Sequence, residues 1–202
     1  MLNDNLFGFQ LTAMTQIWKY ALGILIALVV ILGFGKPVRQ TDMLPSLPKW
    51  SWIWWNSRPL AMGQLVLMQD PLNPKKQILR RILALPTDSI EFRNDNFRVT
   101  NNKITQVDMH IWDNESRVFK ESIYPQNKAI SWGIIQNNAT SHWEMPTMTI
   151  PAQHVFVACD NRFNCLDSRW WGPVSIDLIE GQVHTAIAVP WNVEISFFQQ
   201  FE

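Results

Sequence analysis

Two cysteines, Cys159 and Cys165, are all that 202 residues contain. That is too few to build a fold from disulfides. No Cys/His cluster has zinc-ligand spacing, and His110, His142, His154 and His184 are scattered. Neither a metal site nor a cofactor is therefore expected. Charge is sparse and balanced, with 17 Lys and Arg against 17 Asp and Glu. Zero net charge excludes a polyanion such as nucleic acid as the partner of the chain as a whole. Only 17% of residues are charged while 47% are hydrophobic, which excludes a disordered chain. No internal repeat is visible, and from Lys36 onward no long helical period appears, which argues against a helical bundle.

One long hydrophobic run is present. Residues Tyr20 to Gly35, YALGILIALVVILGFG, contain no charge. With Trp18 and Lys19 before it, the run covers residues 17–35, about 28 Å at ~1.5 Å per residue, close to a hydrocarbon core. No face of it is polar, so a buried helix of a soluble domain is a poor fit. A cleaved signal peptide would have a long and almost uncharged leading segment here. The expectation is a retained single-span anchor after a short segment, residues 1–16.

The rest reads as β. LAMGQLVLMQ, SIEFRNDNFRVTNNKIT, AISWGII, HVFVAC and GQVHTAIAVP are short β-branched or aromatic runs cut by Pro, Asn and Gly. NDN and TNN have the composition of hairpin turns. Residues 97–149 are polar, Asn-rich and without motif, and read as a β subdomain inserted between residues 36–96 and 150–202. Eleven tryptophans are a large excess for this length, and Trp favours both cores and membrane interfaces.

Three ordered segments carry a resemblance. IPAQHVFVACDNRFNCLDSRWWGPV, residues 150–174, is similar to VPxGHxFVxGDNRxNSxDSRxWGxV of the type I signal peptidases, the membrane-anchored Ser/Lys peptidases of the S26 type. The match takes in Asp160, Asn161, Arg162, Asn164, Asp167, Ser168, Arg169, Trp171 and Gly172. ILRRILALPTDSIEF followed by RVTNNKI, residues 78–104, resembles IKRVxGLPGDxI followed by VNGK. TDMLPSL, residues 41–47, resembles GSMxPTL, and GQLVLMQDP resembles GDxVxF. The order of the segments, after an N-terminal anchor, is also that of the family. The resemblance implies a mostly β, two-part antiparallel fold with one N-terminal transmembrane helix. It also implies a bacterial inner (plasma) membrane location, single-pass, with the C-terminal domain on the extracytoplasmic side.

The same resemblance places the chemistry, and there the chain departs from the family. The nucleophilic Ser falls on Asp42 and the general-base Lys on Arg80. The oxyanion Ser falls on Gln40, and the Ser that orients the Lys falls on Cys165. A peptidase of this kind needs a hydroxyl nucleophile and a neutral amine to deprotonate it. Asp42 is no alkoxide source, and a guanidinium has no free lone pair. Asp42 and Arg80 are expected to pair as ions where a dyad would stand. A shifted nucleophile at Ser46, with Lys36, Lys49, Lys75 or Lys76 as base, has no aligned support. Asp160, Asn161, Arg162, Asp167, Ser168 and Arg169 are expected to be structural. The segments that hold substrate in the family correspond to Met43, Leu44 and Pro45 and to Ile78–Leu85, with Leu79 and Leu83 as peptide-binding candidates.

Two further features lie beside these positions. Between Pro45 and Gly63 the chain is some dozen residues longer than the family link. In that piece Trp50, Trp52 and Trp54 alternate, so a strand would place them on one face, with Trp55 adjacent. A Trp-rich segment flanked by Lys49 and Arg58 suits lipid headgroups, or else a plug over the cleft or a docking surface. Cys159 and Cys165 share one loop, and on an oxidising side a disulfide between them is expected, the alternative being two buried thiols.

The functional expectation is a membrane-anchored, signal peptidase-like protein that is catalytically inactive. It would bind peptide segments or assist the assembly of exported proteins, with membrane lipid and exported clients or a membrane assembly complex as partners. The alternatives are a working signal peptidase with an altered site, and a structural subunit of a membrane complex.

Overall fold

The structure, a computed structural model, describes residues 16–26, 29, 33, 35–99, 102–111, 113, 115–124, 129–137, 144–163 and 165–188. The chain divides into two compact units, Met1–Lys36 and Pro37–Glu202. In the first, residues 16–26 form helix α1, on which Ile17, Trp18, Tyr20, Leu22 and Ile24 are exposed. Among the described residues no helix is long and apolar enough to cross a membrane. The expected span, 17–35, includes positions 27, 28, 30–32 and 34, which lie outside the described residues, as do residues 1–15.

The second unit is β. Its strands are β1 (Lys36–Pro37, at the boundary), β2 (Trp52–Asn56), β3 (Leu65–Asp70), β4 (Asn73–Ala84), β5 (Ser89–Arg93), β6 (Asn96–Val99) and β7 (Asn102–Lys103). They continue as β8 (Thr105–Ile111), β9 (Ser116–Ile123), β10 (Ile130–Asn137), β11 (Met145–Thr149), β12 (His154–Ala158), β13 (Val174–Ser175) and β14 (Ile179–Ile187). A seven-stranded sheet runs β1-β2-β14-β3-β4-β12-β13, and two smaller sheets run β10-β9-β8 and β11-β5-β6-β7.

The continuous apolar runs of β3 and β4 follow from their position, because the main sheet is covered on both faces and alternate residues serve different cores. Leu65, Leu67 and Leu79 join Val38, Met43 and Val183 in one cluster. Val66, Met68, Ile78 and Ile82 join Val155 and Val157 in another. A third cluster, built around Phe97, Phe156, Ile134 and Trp132, lies between the main sheet and the smaller ones. Gly63 shows how tight that third region is. At its φ of +82° a Cβ would meet Ile130, Ile123 and Trp132 at 3.1–3.3 Å, so both conformation and space require glycine.

The NDN turn forms as expected. Asn94 and Asp95 take φ of 48° and 60° and close the β5–β6 hairpin with Arg93 opposite Asn96, the left-handed pair that a two-residue hairpin needs. Part of the TNN turn lies outside the described residues. The expected boundary at residue 97 falls inside this hairpin. β5 pairs with both β6 and β11, so residues 89–93 share a sheet with the strands expected to form an inserted subdomain.

The Trp-rich segment is woven into the main sheet. β2 pairs antiparallel with β14, Trp55 opposite Val183 and Trp54 opposite Thr185. Ile53 is buried and Trp55 packs on the Val38–Met43 cluster, which leaves Trp52 and Trp54, half-buried, on the other face. Trp50 precedes the strand, exposed, with φ of 70°. The expected common face of Trp50, Trp52 and Trp54 is therefore reduced to two residues, because the strand begins after Trp50.

Candidate functional site

The site is built where three chain segments converge on the free edge of β4. The first is the loop carrying Asp42. It is tightly wound, with Leu44 N–H donating to Thr41 O (3.1 Å) and Leu47 N–H to Met43 O (2.8 Å). Met43 and Leu47, both buried, anchor it in the core. On its other side Pro45 forms a bridge to Ile134 and packs so closely on Gly133 that a Cβ there would lie 2.8 Å from the proline ring. Ser46, the shifted-nucleophile candidate, gives its hydroxyl hydrogen to Gly133 O at 3.0 Å. Lys49 lies over the Trp50 ring and Lys76 reaches Asp70 at 3.7 Å. That serine and those two lysines are thus engaged elsewhere.

The second segment is β4 itself, on which neighbouring arginines turn to opposite faces. Arg81 is fully buried. It donates from Nε and Nη2 to the two oxygens of Asp160 at 2.8 and 2.6 Å and from Nη1 to Gly63 O at 2.7 Å. Its guanidinium stacks 4.8 Å from the Trp132 ring centre. Arg80 points into the cleft. Its Nη1 meets Asp42 Oδ2 at 3.1 Å, the pairing expected from sequence, and also Leu79 O at 2.6 Å. Its Nε and Nη2 donate to Leu166 O at 3.2 and 2.8 Å. Burial pushes the Arg80 guanidinium below its ordinary pKa. The charges of Asp42, Asp167 and Asp70, and the hydrogen bond to Asp42, oppose that shift.

The third segment is the loop after β12. Its backbone is tied to both neighbours: Asn161 N–H donates to Asp42 O at 2.9 Å, and Ile135 N–H to Asp160 O at 2.9 Å. Arg162 donates from Nη1 and Nη2 to Glu121 at 2.9 and 2.5 Å, both residues being buried, and from Nε to Cys159 O at 2.7 Å. Asp167 accepts from Cys159 N–H at 3.0 Å, caps helix α2 (Ser168–Trp171) and holds Arg169 from both oxygens at 2.9 Å. Ser168 Oγ accepts from Val157 N–H at 3.0 Å. Asp160, Arg162, Asp167, Ser168 and Arg169 thus serve the architecture of the loop. So does the backbone of Asn161, whose buried side-chain oxygen has no partner among the described residues. Asn164 lies outside the described residues. Cys159 and Cys165 are joined by a disulfide with Cα atoms 6.3 Å apart.

Together these segments frame a cleft of about 760 Å³ whose lining includes Asp42, Arg80, Cys165, Leu166, Trp170 and Trp171. Phe163, Leu166 and Trp170, all at least half exposed, stand at its mouth. Along β4 the polar groups of Ile82 face β3, since Gly63 N–H donates to Ile82 O and Ile82 N–H to Gln64 O. By alternation Gln77 and Leu79 present their carbonyls to the opposite edge. β12 covers that edge only from Arg81 to Ala84. Beyond it, Gln77 O accepts from Gln40 Nε2 at 3.3 Å and Leu79 O from Arg80 Nη1. The side chains at two of the altered positions therefore occupy the acceptors that an added strand would use.

Four peptide-binding candidates change role. The side chains of Met43, Pro45, Leu79 and Leu83 are buried in the protein's own interior, and the backbone at Leu83 and Leu79 O are engaged by β12 and Arg80. Leu44 alone is half-buried. Sequence reasoning missed Glu121, which joins Arg162, Trp132 Nε1 (2.9 Å) and Gln106 Nε2 (2.9 Å). It stands in the motif-free segment, where nothing marks a buried acid.

The family model described as signal peptidase, peptidase S26, matches residues 11–188. The chain is 22% identical to mitochondrial inner membrane protease subunit 2 of Saccharomyces cerevisiae, over 78% of this chain and 71% of that one. It is 23% identical to signal peptidase I of Bacillus caldolyticus, over 82% of this chain and 85% of that one. It is also similar to a solved signal peptidase I from Enterococcus faecalis, at 20% identity and a TM-score of 0.40, covering 63% of this chain and 98% of that one.

Proposed function

The chain belongs to the signal peptidase family, peptidase S26, and from that membership we propose that it holds extended segments of exported proteins without cutting them. The observation that carries this reading is the Arg80–Asp42 ion pair at 3.1 Å, standing where the family resemblance places base and nucleophile. Peptidase chemistry of the Ser/Lys kind requires a hydroxyl and a neutral amine within hydrogen-bond reach. Arg80 keeps its protons and cannot accept another. Asp42 would act on water only with a second carboxylate sharing a proton, and its partner is a cation. Gln40 and the disulfide-bound Cys165 replace the remaining family hydroxyls. The cleft with its apolar mouth supports retention of a binding role. Residues 17–35 serve in this reading as a single-span anchor, with the β unit on the extracytoplasmic side and the protein acting there as an accessory or assembly factor. A disulfide agrees with an oxidising compartment. Trp50, Trp52 and Trp54 would then meet lipid headgroups.

A second reading, a structural subunit of a membrane complex, is favoured by the occupied carbonyls of Gln77 and Leu79. A third, a working peptidase, is favoured by the protease and peptidase names of the relatives. Titration of the purified full chain in detergent with a synthetic signal-sequence peptide, followed by tryptophan fluorescence, separates them. Holding predicts saturable quenching, weakened at least about tenfold by Leu166→Asp (~1.4 kcal/mol), and peptide recovered at full mass. Absence of saturable binding leaves the structural subunit. Shortened peptide restores the peptidase.

A further inference from the structure

We propose that the Cys159–Cys165 disulfide is a thiol–disulfide exchange site, with Cys165 the sulfur that an incoming thiol attacks and Cys159 the one that leaves. The two sulfurs differ in access. Cys159 is fully buried, its N–H held by Asp167 Oδ2 and its carbonyl by Arg162 Nε. Cys165 is half-buried and lines the cleft, between the exposed side chains of Phe163 and Leu166. A bond needed only for stability has little to add here. The same gap is already closed by the Asp167 contact to Cys159 N–H and by Ser168 Oγ on Val157 N–H, and cross-links of short loops remove the least chain entropy.

The electrostatic surroundings suit exchange. Leu166 O lies 3.8 Å from Cys159 Sγ and 3.5 Å from Cys165 Sγ, and the same oxygen takes two hydrogen bonds from the Arg80 guanidinium. A departing thiolate is therefore formed one shared carbonyl oxygen away from a fixed positive charge, which favours it as leaving group. Asp42, whose carboxylate lies within 4.8 Å of both sulfurs, is paired to Arg80, and Asp167 and Arg162 grip the Cys159 backbone; Arg169, Lys76, Asp70 and Asp95 line the same cleft, with Arg169 paired to Asp167 and Lys76 to Asp70.

The reaction balances without a further oxidant. A thiolate of a dithiol peptide attacks Cys165 Sγ, a mixed disulfide forms, the Cys159–Cys165 bond breaks, and Cys159 leaves as thiolate. The second thiolate of the peptide attacks the peptide's first sulfur in the mixed disulfide, the peptide's own disulfide forms, and Cys165 is expelled as thiolate. The peptide leaves as a disulfide, and the protein holds two thiols that take up the protons released by the peptide.

Glutathione is the test probe, so the outcome is independent of peptide holding. Native full-length protein in detergent is equilibrated with reduced and oxidised glutathione, and mass spectrometry reads the adducts. In Cys159→Ser, Cys165 is expected to form a mixed disulfide with oxidised glutathione at least about tenfold faster than Cys159 does in Cys165→Ser. Arg80→Gln added to Cys159→Ser is expected to slow adduct formation several-fold at pH 7 and to have little effect near pH 9.5, where thiols ionise unaided. A wild-type disulfide that opens only in denaturant, or equal reactivity of the two cysteines, would overturn the assignment. So would a rate at pH 7 that is indifferent to Arg80.

Discussion

Arg80 and Arg81 are adjacent on one strand, and each meets an aspartate, yet the two sides of β4 have been put to different uses. Arg81 and Asp160 are dry, doubly hydrogen-bonded and supported by the Gly63 carbonyl and the Trp132 ring. Arg80 and Asp42 share a single contact, and Asp42 is 24% exposed. The first pair ties the main sheet to the loop after β12 and is matched across the third core by Arg162–Glu121. The second pair sits in an open cleft and shares its guanidinium among Asp42, Leu79 O and Leu166 O. On one side the residues resembling the family remain with their architecture. On the other, four positions that would carry chemistry have become an ion pair, an amide and half of a disulfide. Support and altered site rest on separate side chains, so the positions aligned with the family's chemistry differ while the architecture around them stays intact.

The buried side should respond most strongly to substitution. Asp160→Asn leaves Arg81 charged and unpaired in the interior, and is expected to cost about 3–5 kcal/mol, read as a lower denaturation midpoint with unchanged slope. Glu121→Gln should do the same through Arg162, whose partners fix a strand of the motif-free segment to the signature loop. The cleft side should respond less. Asp42→Asn is expected to cost about 1–2 kcal/mol, and a double-mutant cycle with Arg80→Gln should return a coupling of about 1 kcal/mol. Equal costs for Asp160→Asn and Asp42→Asn would erase the distinction between the two faces.

Much of this division was legible in the sequence because it rests on spacing. The signature loop announces Asp160, Arg162, Asp167, Ser168 and Arg169 by order alone, and the same order places Arg80 against Asp42 and Cys159 near Cys165. Glu121 was illegible, since a buried acid is defined by a partner 41 residues away. Side-chain direction was illegible too. Met43, Leu79 and Leu83 lie beside the aligned site, and alternation along strand and loop turns them into the cores. That the Trp-rich segment is a strand of the main sheet was illegible, because its partner, β14, comes more than a hundred residues later.

The smallest expected effect concerns the turns that frame both faces. Thr87 and Gln153 stand where the resembled motifs have glycine, and they take φ of 72° and 60°. The left-handed region disfavours a β-branched residue above all. Thr87→Gly is expected to gain up to about 1 kcal/mol, the relief of strain being partly offset by glycine's freedom in the unfolded chain. A loss of stability would show that the Thr87 side chain contributes more than its backbone costs.

The most direct measurement incubates the purified full chain with an exported preprotein and reads its mass over hours. The preprotein is predicted to remain intact. It should also remain largely intact with Asp42→Ser/Arg80→Lys, because Gln40 still holds Gln77 O and Cys165 is still tied to Cys159. A shortened product from the wild-type chain that disappears in Asp42→Asn or Arg80→Gln would contradict the account, since the ion pair would then be performing the chemistry it is said to replace.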